Sequence, residues 1–334
     1  MCKFCHIKIL ILMLIIAAGF PFFSSSAQNL PLQNKQLRKV TFLPLWVPQP
    51  QFAGYYMAKE KGIYRKYGID ADIIPGGYNH NVVSSLKNGS VDFGILFLFT
   101  GMIERAKGTR LVNIGQVFQR SGIMFIAKKK SGIKSLKDFN GKTIGVWRTA
   151  ASELTEGFLK KHNIKANVIK FDRGINIFLK DAVDITVMMS YNEYKRLINS
   201  GVNQDEVVRF NFSDYEMNFP EDGIYCMEST LKKDPSLCRK FVEASMEGWD
   251  YALSHKEETI QVMNKYERMA MVFSNRSHSW WMLNSMKDML DCSGKSGRPG
   301  NLLQSDFDIL SEFLYSNGFI MRKPLYDEFY KGGR

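Results

Sequence analysis

Three short stretches gather aromatic rings and hydrogen-bonding side chains: Trp46, Gln49, Gln51 and Tyr55; Trp147, Arg148, Thr149 and Ser152; Tyr191 and Glu193. Indole and phenol rings can sandwich a flat molecule, while Gln51 and Glu193 can read its polar edge. Arg148, Thr149 and Ser152 open a helical pattern, whose free N–H groups and positive dipole end suit a phosphate or carboxylate. Packing roles stay open beside these: a Trp at a strand end often fills a core, Tyr55 fits a buried helix face, Ser152 an N-cap and Glu193 a first helical turn. Signatures of covalent or metal chemistry are scarce. There is no G-x-x-x-x-G-K-[ST] and no G-x-S-x-G. His80, His162, His255 and His278 have neither metal-ligand spacing nor a nucleophile partner. Residues 291–297 carry too few spaced oxygen ligands for a calcium loop. The expectation is a binding site with no catalytic residue, no metal and no cofactor.

Short apolar strands must position these residues. Residues 40–46 read as a strand stopped by Pro48 and Pro50, 52–67 as an amphipathic helix stopped by Gly68, and 71–74 as a strand before the turn Pro75-Gly76-Gly77. A helix at 81–87, strand 91–96, helix 100–107 and strand 111–117 continue the alternation. The rhythm restarts after Lys128-Lys129-Lys130: strand 143–147, helix 152–162, strand 168–171, strand 185–189, helix 193–199 and strand 223–227. Beyond it four helices are expected, at 235–254, 257–266, 279–290 and 302–317. Strands alternating with helices predict an α/β fold of two lobes, each a mostly parallel sheet flanked by helices, with a cleft between them and a helical C-terminal region. In such sheets ligands bind beyond the carboxyl ends of strands, where Trp46, Trp147 and Tyr191 fall.

The chain of 334 residues, 45% apolar and 13% aromatic, is long enough for this architecture. Lys3 and Lys8 precede an apolar run at 9–20, and small residues follow up to Ala27, the pattern of a secretory signal peptide over residues 1–27. The protein is therefore expected to be exported and periplasmic. The formal charge is +12, but the longest basic run is Lys128-Lys129-Lys130 and no nucleic-acid motif accompanies it, so nucleic acid is not an expected partner. Cleavage would leave Cys226, Cys238 and Cys292, an odd number with at most one disulfide among them, whose pairing the sequence leaves open.

Several phrases resemble one family in order: WVPQPQFAGYYMAKEKG at 46–62, GID at 68–70, PGG at 75–77, GSVDFG at 89–94, LKDFNGKTIGV at 136–146 and GIN at 174–176. The set, spanning about 40–258, resembles the thiamine-pyrimidine synthase-like and thiamine precursor-binding branch of type II periplasmic solute-binding proteins. The resemblance implies a Venus-flytrap fold, with lobe 1 formed by 38–126 plus 223–334 and lobe 2 by 127–222. It implies a monomer that delivers a small heterocyclic ligand to an ABC permease and ATPase. Trp46 and the 149–152 turn match the ring-stacking and anion-binding places of the family. Eukaryotic relatives instead make the pyrimidine from pyridoxal phosphate and a histidine of their own chain. They carry a lysine just before the Val-Asp-x-Gly strand, where this chain has Ser90, and a cysteine-rich motif, where it has only Cys226. These departures favour capture over synthesis, because a Schiff base needs a lysine amine and a single thiol makes a poor iron site. A ligand-sensing domain serving a membrane signalling partner is the third reading.

Overall fold

The computed structural model describes residues 37–77, 79–148, 151–172, 174–293 and 298–333. The expected signal peptide at 1–27 and Thr149 lie outside these residues. The described residues belong to one compact unit, built on two five-stranded sheets. The first contains β1 (Arg38–Leu43), β2 (Ile69–Ile73), β3 (Phe93–Phe97), β4 (Leu111–Gln116) and β10 (Asp222–Met227), in the order β2-β1-β3-β10-β4. The second contains β5 (Ile123–Lys128), β6 (Thr143–Trp147), β7 (Asn167–Phe171), β8 (Ile185–Met189) and β9 (Val207–Asn211), in the order β7-β6-β8-β5-β9.

Both sheets are mixed in one specific way. β1 pairs in parallel with β2 and β3, whereas β10 is antiparallel to both β3 and β4. In the second sheet β6 is parallel to β7 and β8, and β5 is antiparallel to β8 and β9. Four strands of each sheet thus share a direction and one runs against them. The reversed strand is the one the chain enters on crossing from the other sheet: β4 leads to β5, and β9 leads to β10. Two crossings, at 117–122 and 212–221, join the lobes.

Local chemistry accounts for the element ends. β1 stops before Pro44, so Trp46 sits in the following loop rather than on the strand. The single helix expected at 52–67 is two, Ala53–Glu60 and Ile63–Lys66, because Gly62 takes a left-handed φ of 68° between them. Asn81 caps the Val82–Lys87 helix by accepting from the Ser84 N–H at 2.9 Å. The C-terminal helices are Pro235–Ser254, Lys256–Met269, Arg276–Leu290 and Gln304–Ser316, with short additional turns of helix at Glu228–Lys233 and Tyr326–Phe329.

The first lobe is closed by aromatic packing. Phe241, on the Pro235–Ser254 helix, stacks on Phe93 of β3 at 4.3 Å and on Tyr64 at 5.1 Å. In the second lobe Phe125 of β5 meets Phe139, Phe158 and Phe212 at 5.4, 5.1 and 4.9 Å. Cys226, Cys238 and Cys292 are all free thiols, so no disulfide forms among them. Cys226 and Cys238 are buried and interact with each other. Among the described residues no helix is long and apolar enough to cross a membrane.

Candidate functional site

A cavity of about 310 Å³ opens between the two sheets. It collects residues from the carboxyl ends of parallel strands in both lobes, the place where this class of sheet leaves backbone groups and loops free for a ligand. The loop after β1 supplies Trp46 and Gln49, and a 3-10 turn, Pro50–Phe52, supplies Gln51. β3 and the Leu98–Ala106 helix add Leu96, Phe97 and Thr100. From the second lobe come Trp147 at the end of β6, Asp172 and Gly174 after β7, and Met189, Tyr191, Asn192 and Glu193 after β8. Trp46 and Trp147 are half-buried and approach the space from opposite lobes.

The Trp46 loop is held by a close backbone approach. A Cβ on Gly76 would lie 2.2 Å from the Pro44 carbonyl oxygen and 2.4 Å from that of Trp46. Only glycine lets the 75–77 turn press against the loop and fix where the indole starts.

Behind the lining lies a buried polar chain. Gln49 Nε2 donates to Gln51 Oε1 at 2.6 Å, and Gln51 Nε2 donates to Asp222 Oδ2 at 2.9 Å. Gln49 Oε1 and Asp222 Oδ1 are buried and have no protein partner. Next to Asp222, Glu221 accepts from the Gly122 N–H at 2.7 Å and from Ser121 Oγ at 3.1 Å, and the Tyr191 hydroxyl donates to it at 3.5 Å. Burial, reinforced by the neighbouring Asp222, pushes the Glu221 carboxyl up to about 8. Burial pushes Asp222 up to about 7, against the pull of the Gln51 N–H. Glu193 is raised by burial as well, though it accepts from the Met189 N–H at 3.2 Å and from Asn192 Nδ2 at 2.9 Å. The described lining includes no Lys or Arg. Its ionisable members are His80, Asp172 and Glu193, with the Tyr191 phenol raised well above its ordinary value by burial.

Six of the expected site residues therefore line one space: Trp46, Gln49, Gln51, Trp147, Tyr191 and Glu193. Tyr55 does not. Its ring is buried in the first lobe's core, 4.8 Å from Phe42 and 6.0 Å from Trp249, because it lies on the face of the Ala53–Glu60 helix that meets the Pro235–Ser254 helix. Arg148 points outward and pairs with Asp172 at 3.1 Å. Ser152 is buried at the start of the Ala151–Lys161 helix, 3.4 Å from Glu153 Oε2, and is not part of the lining. Ser90 sits on an exposed turn and is not among the residues lining the cavity. Sequence reasoning missed Leu96, Phe97 and Thr100, although the strand-end rule applied to β3 points to all three. It also missed Glu221 and Asp222, whose adjacency in the sequence carries no sign of burial. No group of His, Cys, Asp and Glu able to hold a metal ion occurs among the described residues.

Comparison with known proteins gives the same architecture. The chain is 26% identical over 270 residues to the riboflavin-binding protein RibY of Chloroflexus aurantiacus, covering 76% of this chain and 75% of that one. It is 23% identical over 321 residues to the 4-amino-5-hydroxymethyl-2-methylpyrimidine phosphate synthase of Legionella pneumophila, covering 86% and 94%. Its fold matches the periplasmic aliphatic sulphonate binding protein SsuA of Escherichia coli with a TM-score of 0.66 at 15% identity, over 86% of this chain and 94% of that one. These matches place the fold among type II periplasmic binding proteins. Residues 49–259 match the family described as NMT1/THI5 like, and the chain belongs to that family.

Proposed function

We propose that this protein is the solute-binding component of an ABC importer and captures a neutral or weakly basic planar N-heterocycle, with a thiamine-precursor pyrimidine as the first candidate. The observation that carries the reading is the lining itself: two indoles from opposite lobes, an amide and carboxyl edge, and no Lys or Arg among the described lining residues. Trp46 and Trp147 stack on the two faces of the ring, while Gln49, Gln51 and Glu193 accept from its N–H groups. Binding closes lobe 2 (127–222) onto lobe 1 (38–126 with 223–334), and the closed monomer docks on a permease with its ATPase. Export through the 1–27 leader places it in the periplasm. A sulfonate would need cationic or N–H-rich surroundings, and the described lining includes no Lys or Arg.

The synthase reading asks for a lysine amine against the cofactor carbonyl, and the described lining offers none. His80 lines the cavity, but it is exposed. A thermal-shift panel tests the proposal: 4-amino-5-hydroxymethyl-2-methylpyrimidine, riboflavin, pyridoxal phosphate and hexanesulfonate. Ligands that bind only the folded state raise its melting temperature. The expected result is a rise with at least one of the two neutral heterocycles and none with the sulfonate. A rise with the sulfonate alone rejects the proposal. A lysine–aldimine absorbance band with pyridoxal phosphate favours the enzyme.

A further inference from the structure

The Arg276–Leu290 helix belongs to the C-terminal helical region and packs against the 3-10 turn that carries Gln51. Its N-terminal half also reaches across to the second lobe, at the start of the Glu193–Asn199 helix. His278 Nε2 lies 3.0 Å from Asn192 Oδ1, and Trp281 Nε1 donates to the Ser190 carbonyl at 3.2 Å. The Trp281 ring packs on the core cluster of the second lobe, 6.3 Å from the ring of Tyr194. His278 and Asn192 are both buried.

The hydrogen bonds around Asn192 have one consistent assignment. Arg196 Nε, always a donor, lies 3.1 Å from Asn192 Oδ1, so that atom is the carbonyl oxygen. His278 Nε2 faces the same oxygen and must carry the ring proton, while Nδ1 has no partner. Burial, with the cationic Arg196 and Lys195 nearby, holds the imidazole in its neutral form, with a pKa pushed down to about 4. With its oxygen occupied twice, Asn192 turns its amide N–H toward Glu193 Oε1 at 2.9 Å.

We propose that His278 is a positioning residue for ligand binding: from the C-terminal helix it fixes the Asn192 amide, which in turn aims the Glu193 carboxyl into the cavity. The ligand side of this proposal rests on the cavity reading above. The chain of contacts begins in one lobe and ends at a lining carboxyl of the other, so the orientation of Glu193 is complete only when the lobes are together. Glu193 then presents a fixed acceptor to an N–H group of the ligand, and a ligand lacking that donor is discriminated against.

The test uses the full chain and titrates 4-amino-5-hydroxymethyl-2-methylpyrimidine by calorimetry, with thermal melts of every variant. His278→Ala is expected to weaken binding about tenfold or more, the loss of one well-placed buried hydrogen bond. His278→Gln, whose side-chain amide offers an N–H at similar reach, is expected to stay within about threefold of the parent. Asn192→Asp keeps both contacts from His278 and Arg196 but replaces the donor to Glu193 with a second carboxylate oxygen 2.9 Å away, so it is expected to weaken binding at least as much as His278→Ala and is the second variant if the alanine protein does not fold. Parent-like affinity in His278→Ala or Asn192→Asp overturns the proposal, as does a folded His278→Gln as weak as the alanine variant. A parent protein that binds neither this pyrimidine nor riboflavin overturns the cavity reading, and the positioning role with it.

Discussion

Glu221 and Asp222 put two carboxyl groups one layer behind the cavity wall, where neither reaches solvent. Both titrate higher in the folded chain than in the unfolded one, toward about 8 and about 7. Folding therefore favours their protonated forms. Their contribution is fully present below the ordinary carboxyl range and is lost as pH rises through 7 to 8. The parent protein is expected to lose on the order of 2–3 kcal/mol more stability between about pH 5.5 and about pH 8.5 than Glu221→Gln does. Urea melts at the two pH values measure this, and equal losses would show that Glu221 does not carry the effect. Asp222 also sets direction. Its Oδ2 accepts from Gln51 Nε2, which leaves the Gln51 oxygen facing Gln49 Nε2 and the buried Gln49 Oε1 as an acceptor. None of this is visible in a pair of acidic letters. The side-chain partner of Asp222, Gln51, lies 171 positions away, and those of Glu221 lie 30 to 100 positions away. Trp46, Trp147 and Tyr191 were legible, because a strand end is a local pattern and the strand-end rule needs no long-range contact. Tyr55 misled for the opposite reason: helix periodicity shows that a face is buried but not against what.

At the scale of elements, the turn at 75–77 sets the geometry of the cavity wall. Gly76→Ala places a Cβ against two backbone carbonyls of the Pro44–Trp46 loop, neither of which can rotate away as a side chain could. The expected outcome is a destabilisation of about 1–3 kcal/mol, typical of overpacking, together with a fall in pyrimidine affinity as Trp46 is displaced. Thermal melts and a titration of the same sample check both, and an unchanged variant would mean that the loop is not held by this contact. Most elements were legible from periodicity, with β6, β8 and the Glu193–Asn199 helix lying where the pattern puts them. β5 and β9 were not expected. β5 reads Ile-Met-Phe-Ile-Ala-Lys, a continuous apolar run with no alternation, because it is buried on both faces as the reversed strand within its sheet. β9 is short, lies at the sheet edge and interrupts its apolar residues with Arg209.

At the scale of the molecule, two crossings let the lobes share one cavity, and one hydrophobic core cluster runs through both of them. The C-terminal helices are more than a cap on the first lobe. Through His278 and Trp281 they touch the second lobe beside the cavity, a role that no local feature of their sequence signals. The architecture was legible as alternating strands and helices, whereas the inserted reverse strands were not, since direction is fixed by which sheet the chain has just left. The central claim is that Trp46 and Trp147 hold a flat heterocycle between the lobes. Calorimetric titration of 4-amino-5-hydroxymethyl-2-methylpyrimidine or riboflavin into the parent and Trp46→Ala proteins tests it most directly. The account predicts saturable binding of at least one of the two at one site per chain, weakened about tenfold or more in Trp46→Ala, in line with the loss of about 1–3 kcal/mol of aromatic stacking. Binding of equal strength in the two proteins, or none to either heterocycle, would contradict it.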